Sequence, residues 1–259
     1  MMPLSERSTP MSNETALTVR ENRPLTANAL KYIAIAAMLI DHIAWSFVND
    51  YSVLGQLMHV IGRLTAPIMC YFIAEGYYYT RNVKKYLLRL GLFALISWAP
   101  FTFMEFGVPP LYYDNDMGRW MFLPVQGVIY TFFLGLLALV VIHSERLKKP
   151  AKALFLAAIF LLSLIGDWLF FAIIWIIIFD RYRGDFKKQM IWFAATAVLM
   201  ELFFILIGMT LADSLFQLGV LLAIVPLYFY NGKRGGSEKF RTFNKWFFYV
   251  FYPLHMVIL

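Results

Sequence analysis

The stretch ALKYIAIAAMLIDHIAWSFV, residues 29–48, decides the fold class of this chain, because it is apolar at nearly every position. An apolar segment of about 20 residues is long enough to cross a bilayer as a helix. Eight more apolar stretches follow, over residues 53–79, 86–104, 122–142, 152–166, 168–179, 189–209, 215–230 and 243–258. The sequence therefore predicts an all-α fold, a polytopic transmembrane helix bundle of about nine helices. This bundle is expected to lie in a lipid bilayer and to include residues 28–259.

The composition is typical of a membrane protein. Of the 259 residues, 61% are hydrophobic and 15% are charged, whereas an average soluble domain has about 25% charged residues. A soluble domain of this length would need more polar side chains to cover its core. The sequence contains no zinc-ligand spacing, phosphate-binding loop or serine triad, so we expect no metal site.

Basic and acidic connections alternate along the chain. The N-terminal segment and the second, fourth, sixth and eighth loops hold every lysine and arginine except Arg63 and Arg119. The other connections carry Asp50, Glu105, Asp114, Asp116, Asp167 and Asp213. Because positively charged loops stay in the cytoplasm, we predict a multi-pass protein of the bacterial inner membrane. Its N-terminus would be inside and its C-terminus outside, with residues 1–27 as a polar cytoplasmic tail. The net charge of +7 follows from this bias, and we expect no nucleic-acid partner.

Ionisable groups inside a bilayer are costly and are therefore candidate functional groups. In the first span, Lys31 lies near the cytoplasmic end, and Asp41 and His42 lie deeper. Eleven positions separate Lys31 from His42. This is close to three helical turns, or about 16 Å of rise, so the two side chains share one face. Such a stripe suits an elongated anionic ligand that enters from the cytoplasm. Asp41 points about 100° away from His42, so we expect a partner for this imidazole on another helix.

The second span contains His59 and Arg63, which are four positions apart and share one face. His59 is a candidate partner for His42. Arg63 keeps its charge when buried and needs a carboxylate or a bound anion, so Asp41 is its expected partner. We expect Pro67 to kink this span. A purely structural role remains open for Asp41 and Arg63, and it is the more frequent role for a histidine placed like His59. The other polar residues inside spans include Glu75, Gln126, Thr131, Glu201, Tyr252 and His255.

Four sequence motifs point to a known family. They are Lys31 and His42 within LKYIAIAAMLIDHIA, then IGRLTAP followed by AEGYYYTRNVKKYLLRL, then GDW at residues 166–168, and FYPLH near the end of the chain. In their order and spacing, the chain resembles the TraX family of membrane acetyltransferases, a relative of the larger acyltransferase-three superfamily. The resemblance extends from the first span to the last. One departure is Gln126, where we expect an asparagine.

The resemblance implies transfer of an acetyl group from cytoplasmic acetyl-CoA to an acceptor amine, which in the family's namesake is the N-terminus of a conjugative pilin. It implies catalytic roles for His42 as general base or acyl relay, for Asp41, and for Arg63, which would polarise the thioester. The expected acyl-donor residues are Lys31, Glu75, Arg81, Lys84 and Lys85. The other expected pocket residues are His59, Gln126, Tyr252 and His255. Histidine is suited to taking a proton near neutral pH, and a buried arginine can stabilise an oxyanion.

Three other functions remain open from the sequence. The same chemistry could act on a hydroxyl group of a cell-surface glycan or lipid, so the acceptor, protein or glycan, is not identified. A small transporter or flippase could use the buried charges as a substrate path, although we find no internal repeat of the kind that many transporters have. A structural membrane subunit would use these charges for packing alone. Release of free CoA separates the transferases from the other two classes.

Overall fold

The computed structural model describes residues 22–259. Most of the predicted tail, residues 1–21, lies outside the described residues. Within the described range the chain is an all-α helical bundle with one short β-hairpin, so the prediction of an all-α helical bundle is confirmed. The hairpin pairs Leu111–Asp114 (β1) with Arg119–Phe122 (β2) in antiparallel register and lies between two of the helices.

Eleven α-helices make up the described part of the chain. They are Ala27–Phe47 (α1), Val53–Gly62 (α2), Thr65–Tyr79 (α3), Val83–Phe106 (α4), Val128–Ile142 (α5), Lys149–Leu162 (α6), Phe171–Arg181 (α7), Phe186–Leu206 (α8), Leu211–Ser214 (α9), Ile224–Tyr228 (α10) and Arg241–Ile258 (α11). Three 3₁₀ segments, Ser163–Ile165, Leu215–Ala223 and Glu238–Phe240, connect or extend them.

Four segments of the described residues are long and apolar enough to cross a membrane, namely Ala27–Phe47, Val53–Tyr79, Val83–Phe106 and Phe186–Leu206. The fifth and sixth predicted spans are shorter, because α6 has 14 residues and α7 has 11. A helix of 14 residues rises only about 21 Å, against a hydrocarbon thickness of about 30 Å. Neither helix is therefore long enough to cross a bilayer by itself.

The second span is interrupted between α2 and α3, at Arg63 and Leu64. There the backbone N–H of Leu64 donates to the carbonyl of Ile61, three residues back, at 3.1 Å. Pro67 follows one turn later, in the first turn of α3. Proline has no N–H to donate to the carbonyl four residues earlier, which here is that of Arg63, and its ring crowds that carbonyl. The expected distortion at Pro67 is thus present, and it is centred on Arg63.

The described end of the predicted tail is held against a later loop. The backbone N–H of Leu25 donates to the carbonyl of Phe229 at 3.1 Å, and the N–H of Asn231 donates to the carbonyl of Leu25 at 2.9 Å. Helix α1 then begins at Ala27, with the side chain of Thr26 as its N-cap. The glycine-rich loop at residues 231–236 is therefore fixed beside the start of α1.

Five helices form a closed ring. In the ring, α1 packs on α3, α3 on α5, α5 on α4, α4 on α11, and α11 on α1. Helix α7 packs outside it against α3 and α5, with Trp175 and Phe179 almost fully buried. Since α11 lies between α1 and α4, residues from the two ends of the chain face the same interior.

Candidate active site

The ring of five helices encloses an inner cavity of about 600 Å³ near the start of α1. Among the described residues, four cationic side chains line this cavity, from Lys31, Arg89, Arg234 and Lys245, against one carboxylate, from Glu75. Oε1 of Glu75 already accepts a hydrogen bond from Nε of Arg183 at 3.3 Å. The remaining positive charge favours an anionic ligand.

Two of these cations have surroundings that suit a ligand with both charged and apolar parts. Nζ of Lys31 lies 5.1 Å from the ring centre of Phe72 and 5.5 Å from that of Phe248. Nε of Arg89 is buried and has no hydrogen-bond partner among the described residues. Buried polar atoms are nearly always satisfied in folded proteins, so this nitrogen can donate a hydrogen bond to a ligand or water in the cavity.

A second, smaller cavity, of about 210 Å³, lies further along α1 from its start. We call it the outer cavity. Its polar lining includes Asp41, His42, Arg63, Glu105 and Asp167. Both cavities are lined by Met38, Thr65, Val128 and Tyr252, and we call these four residues the throat. The cationic inner cavity and the cavity that contains His42 are therefore neighbours, with the throat between them.

The imidazole of His42 is paired with the last helix. Nδ1 of His42 lies 2.6 Å from Nε2 of His255, and Nδ1 of His255 donates to the carbonyl oxygen of Phe251 at 2.9 Å. A neutral His255 that donates from Nδ1 can only accept at Nε2, so His42 must donate its own Nδ1–H. Nε2 of His42 then carries the lone pair, and it has no partner among the described residues. Through this arrangement α11 holds His42 in the tautomer that a general base requires.

Asp41 connects Arg63 to His59. Nη2 of Arg63 donates to Oδ2 of Asp41, and Nδ1 of His59 lies 2.8 Å from Oδ1 of the same carboxylate. The expected pairing of Asp41 with Arg63 is therefore present. His59 was a candidate partner for His42, and this prediction is wrong. Its second nitrogen, Nε2, lies 3.4 Å from Asp50, so carboxylates occupy both sides of the ring.

Both terminal nitrogens of Arg63 are hydrogen-bonded, whereas its buried Nε has no partner among the described residues. Nη1 donates to Oε1 of Gln217 at 3.1 Å. The guanidinium carbon lies 5.1 Å from the ring centre of Trp168 and 5.2 Å from that of Phe216. The guanidinium group of Arg63 is therefore fixed at the wall of the outer cavity.

The GDW motif forms the loop between α6 and α7. The N–H of Gln126 donates to Ile165 at 2.7 Å, and the N–H of Asp167 donates back to Gln126 at 2.8 Å. Trp168 and Leu169 have positive φ values of 65° and 47°. Such backbone angles cost energy in bulky residues and persist only where the surrounding structure imposes them. Here they place Trp168 on Arg63 and Asp167 at the outer cavity, where desolvation raises the pKa of Asp167 to about 6.

Gly62 allows α2 to approach α1 closely enough for these contacts. A Cβ atom at this position would overlap the carboxyl group of Asp41. We expect Gly62→Ala to displace Asp41 and to destabilise the fold by about 1–3 kcal/mol, the usual cost of overpacking a core. Thermal unfolding of the purified protein in detergent measures the change.

Gly91→Ala is the matched control for this substitution. An added Cβ at Gly91 would meet only the edge of the Phe133 ring, at 3.3 Å, and that half-buried side chain can shift. If Gly62→Ala melted at the wild-type temperature, Gly62 would not be needed for the close approach of the two helices.

Comparisons with known proteins identify the family. The family model described as TraX protein matches residues 26–259. The chain belongs to the TraX family. It is also 32% identical over 246 residues to a probable fimbrial assembly protein FimC, serogroup H1, of Dichelobacter nodosus. That match covers 92% of this chain and 96% of the relative. No solved structure matches the chain significantly.

In this TraX-family chain the predicted site residues fall into three groups. His42, Asp41 and Arg63 line the outer cavity, Lys31 and Glu75 line the inner cavity, and Tyr252 lines both. His59 is hydrogen-bonded to Asp41, and His255 is hydrogen-bonded to His42. Arg81, Lys84 and Lys85 are exposed and line neither cavity, and neither does Gln126, whose backbone instead holds the GDW loop.

Several residues of the TraX site were not singled out from the sequence. They are Arg89, Arg234 and Lys245 at the inner cavity, and Glu105, Asp167, Trp168 and Gln217 at the outer one. Arg89 lies inside the apolar stretch 86–104, so the reasoning that selected Lys31 could have found it. The GDW motif likewise marked Asp167 without a role. For Arg234, Lys245 and Gln217 we see no signal in the sequence beyond their residue type.

Proposed function

We propose that this TraX-family protein is an acetyltransferase that crosses the bacterial inner membrane several times, with its N-terminus in the cytoplasm and its C-terminus outside. It would take the acetyl group of acetyl-CoA and transfer it to an acceptor amine. One observation carries the proposal, namely that a cation-lined cavity at the basic end of the helices shares the four residues of the throat with a cavity that contains an oriented histidine.

The inner cavity fits the acyl donor. CoA has anionic phosphates at one end and a thioester at the end of a flexible arm. Lys31, Arg89, Arg234 and Lys245 supply positive charge for the phosphates, and the apolar walls suit the arm. His42 is about 16 Å along α1 from Lys31. A donor bound in this way places its charged end at the cytoplasmic mouth and its thioester at the throat.

The reaction follows from the free Nε2 of His42. A neutral acceptor amine attacks the acetyl carbonyl carbon, and His42 removes a proton from the nitrogen as the new carbon–nitrogen bond forms. The carbon–sulfur bond then breaks, and the imidazolium returns the proton to the departing thiolate, which leaves as the CoA thiol. The fixed charge of Arg63 would lower the energy of the oxyanion. His255 keeps His42 in the required tautomer throughout.

The outer cavity suits the acceptor. Its carboxylates, from Glu105 and Asp167, would attract a cationic ammonium group, accept the proton that it loses to become the neutral amine, and repel an anionic acceptor. The relative named as a probable fimbrial assembly protein points to a subunit of a pilus. We therefore propose the N-terminal amine of a pilus subunit as the acceptor, reached from the outer side of the membrane.

The direct test is release of free thiol from acetyl-CoA by the purified protein in nanodiscs, with and without a peptide that has a free N-terminal amine. We expect thiol release that the peptide stimulates, together with binding of CoA in the micromolar to millimolar range that is usual for enzyme substrates. Binding of no CoA and release of no thiol would contradict the proposal and favour the transporter or the structural subunit.

The inner cavity makes a separate prediction about the donor phosphates. We expect Lys245→Gln to raise the KM for acetyl-CoA about tenfold, the value of one charge-assisted hydrogen bond. The KM for S-acetylpantetheine, which lacks the phosphates, should stay within about twofold. Steady-state thiol release with both donors gives the two values.

Lys84→Gln is the control for this prediction, because Lys84 is an equally basic residue that lies outside the cavity lining. Its KM for acetyl-CoA should equal that of the wild type. An equal effect of Lys84→Gln and Lys245→Gln would mean that the donor binds through the general charge of the cytoplasmic surface.

A further inference from the structure

We propose that Met38 limits the acyl chain of the donor, so that an acetyl group reaches His42 and longer chains do not. This inference rests on the proposed function and adds a specificity-determining residue to it. Met38 belongs to the throat, whose other members are Thr65, Val128 and Tyr252. The four residues come from α1, α3, α5 and α11, so they surround the junction from four sides.

The throat is the place where the acyl chain must lie. His42 lines the outer cavity and not the inner one. The four cations proposed to bind the phosphates line the inner cavity and not the outer one. A donor held by its phosphates therefore reaches His42 only by placing its carbonyl carbon at the junction. The acyl chain beyond that carbon then has to share the remaining space with the four side chains.

Two of the four side chains are fixed by hydrogen bonds. The hydroxyl of Tyr252 accepts from the N–H of Val128 at 3.2 Å, and a Cβ at Gly127 would overlap the same hydroxyl. Oγ1 of Thr65 donates to the carbonyl of Ala34 at 2.9 Å. Val128 is branched at Cβ and has little rotamer freedom. These three sides of the throat are therefore rigid.

The side chain of Met38 is the flexible member of the throat. It is 8% exposed, and it lies four positions before His42, one turn toward the cytoplasm on the same face of α1. An unbranched thioether with three rotatable bonds fills irregular space and adapts to small changes. Because Met38 lies one turn before His42 on the same face of α1, its side chain would contact the methyl group of an acetyl thioester. Each further methylene of a longer chain would have to displace it.

The test compares acetyl-, propionyl-, butyryl- and hexanoyl-CoA as donors for the protein in nanodiscs, in the presence of a peptide with a free N-terminal amine, with kcat/KM from thiol release. For the wild type we expect a loss of about tenfold or more for each added methylene, within the range known for pockets that discriminate by one methylene. For Met38→Ala we expect the butyryl-to-acetyl ratio to rise at least about tenfold. Met38→Val, which is less disruptive, should give a smaller change in the same direction.

Met69→Ala is the matched control, because Met69 lines the inner cavity but not the throat. Its chain-length profile should remain that of the wild type. If Met38→Ala and Met38→Val kept the wild-type profile while hydrolysing acetyl-CoA, or if Met69→Ala changed the profile equally, the role of Met38 would be wrong and the proposed function would stand. If the wild type released no thiol from any donor, the proposed function itself would be wrong.

Discussion

Replacing His42 with alanine should reduce acetyl transfer at least about 100-fold, the lower end of what a positioned general base contributes. The variant should remain folded, because His42 is only half-buried and its loss leaves the Asp41–Arg63 pair untouched. Thiol release from acetyl-CoA in the presence of an amine acceptor measures the first effect. Thermal unfolding in detergent measures the second.

Substitutions of two further histidines, His143 and His255, test the role of His42. His143→Ala removes an imidazole that bonds Asp180 at 2.9 Å and lines neither cavity, so it should keep wild-type transfer. His255→Gln offers an amide oxygen to the Nδ1–H of His42, so it should retain more activity than His255→Ala, whose side chain cannot accept a hydrogen bond. Wild-type transfer by His42→Ala would exclude this residue as the base. Equal activity of the two His255 variants would exclude the tautomer argument.

Asp41→Ala should produce the largest loss of stability. Arg63 and His59 are both buried and both direct a nitrogen at this carboxylate. Removal of one partner from a buried ion pair leaves a charge without compensation, which costs about 3–5 kcal/mol. We expect a much lower unfolding temperature in detergent and poor recovery of the folded protein.

The double substitution Asp41→Ala with Arg63→Met tests the cause of that loss. It removes both charges, so it should be more stable than Asp41→Ala alone, and the difference from additivity gives the coupling energy. Asp50→Asn is a milder control, because the side chain of Asp50 is 43% exposed and lies 3.4 Å from His59. Exposed ion pairs contribute only about 0–1 kcal/mol. A change below about 0.5 kcal/mol for Asp41→Ala would contradict the buried-charge argument.

The sequence predicted the features that follow from apolar length, from the cost of burying a charge or from the missing N–H of proline. Apolar length located the helical segments. It was less informative where the apolar stretches were short, as in α6 and α7, which have 14 and 11 residues. The Asp41–Arg63 pair was predictable because a buried arginine needs a carboxylate and the preceding span offers one at a similar depth. The distortion before Pro67 was predictable for the same kind of reason, since proline lacks the N–H that the helix requires.

The donor site was predicted less well. Charge patterning selected Arg81, Lys84 and Lys85. These residues lie at the basic end of the helices, but they are exposed. Two of the four cations that line the inner cavity, Arg89 and Lys245, lie further into their helices. Periodicity shows which face of a helix is apolar, but it does not show which neighbouring helix covers that face. The choice among basic residues at one end of the bundle therefore depended on the packing of α4 and α11.

The sequence by itself determined the helical class of this protein, the basic and acidic ends of its helices, its TraX family and the residue types that could do chemistry. These properties depend on neighbours along the chain and on the cost of burying charge. Only the tertiary structure decided that His42 contacts His255, 213 positions away, and that two cavities share the lining residues Met38, Thr65, Val128 and Tyr252. Contacts of this kind arise when distant helices close a ring, and the energy of that closure is shared among many weak packing contacts that no short motif records.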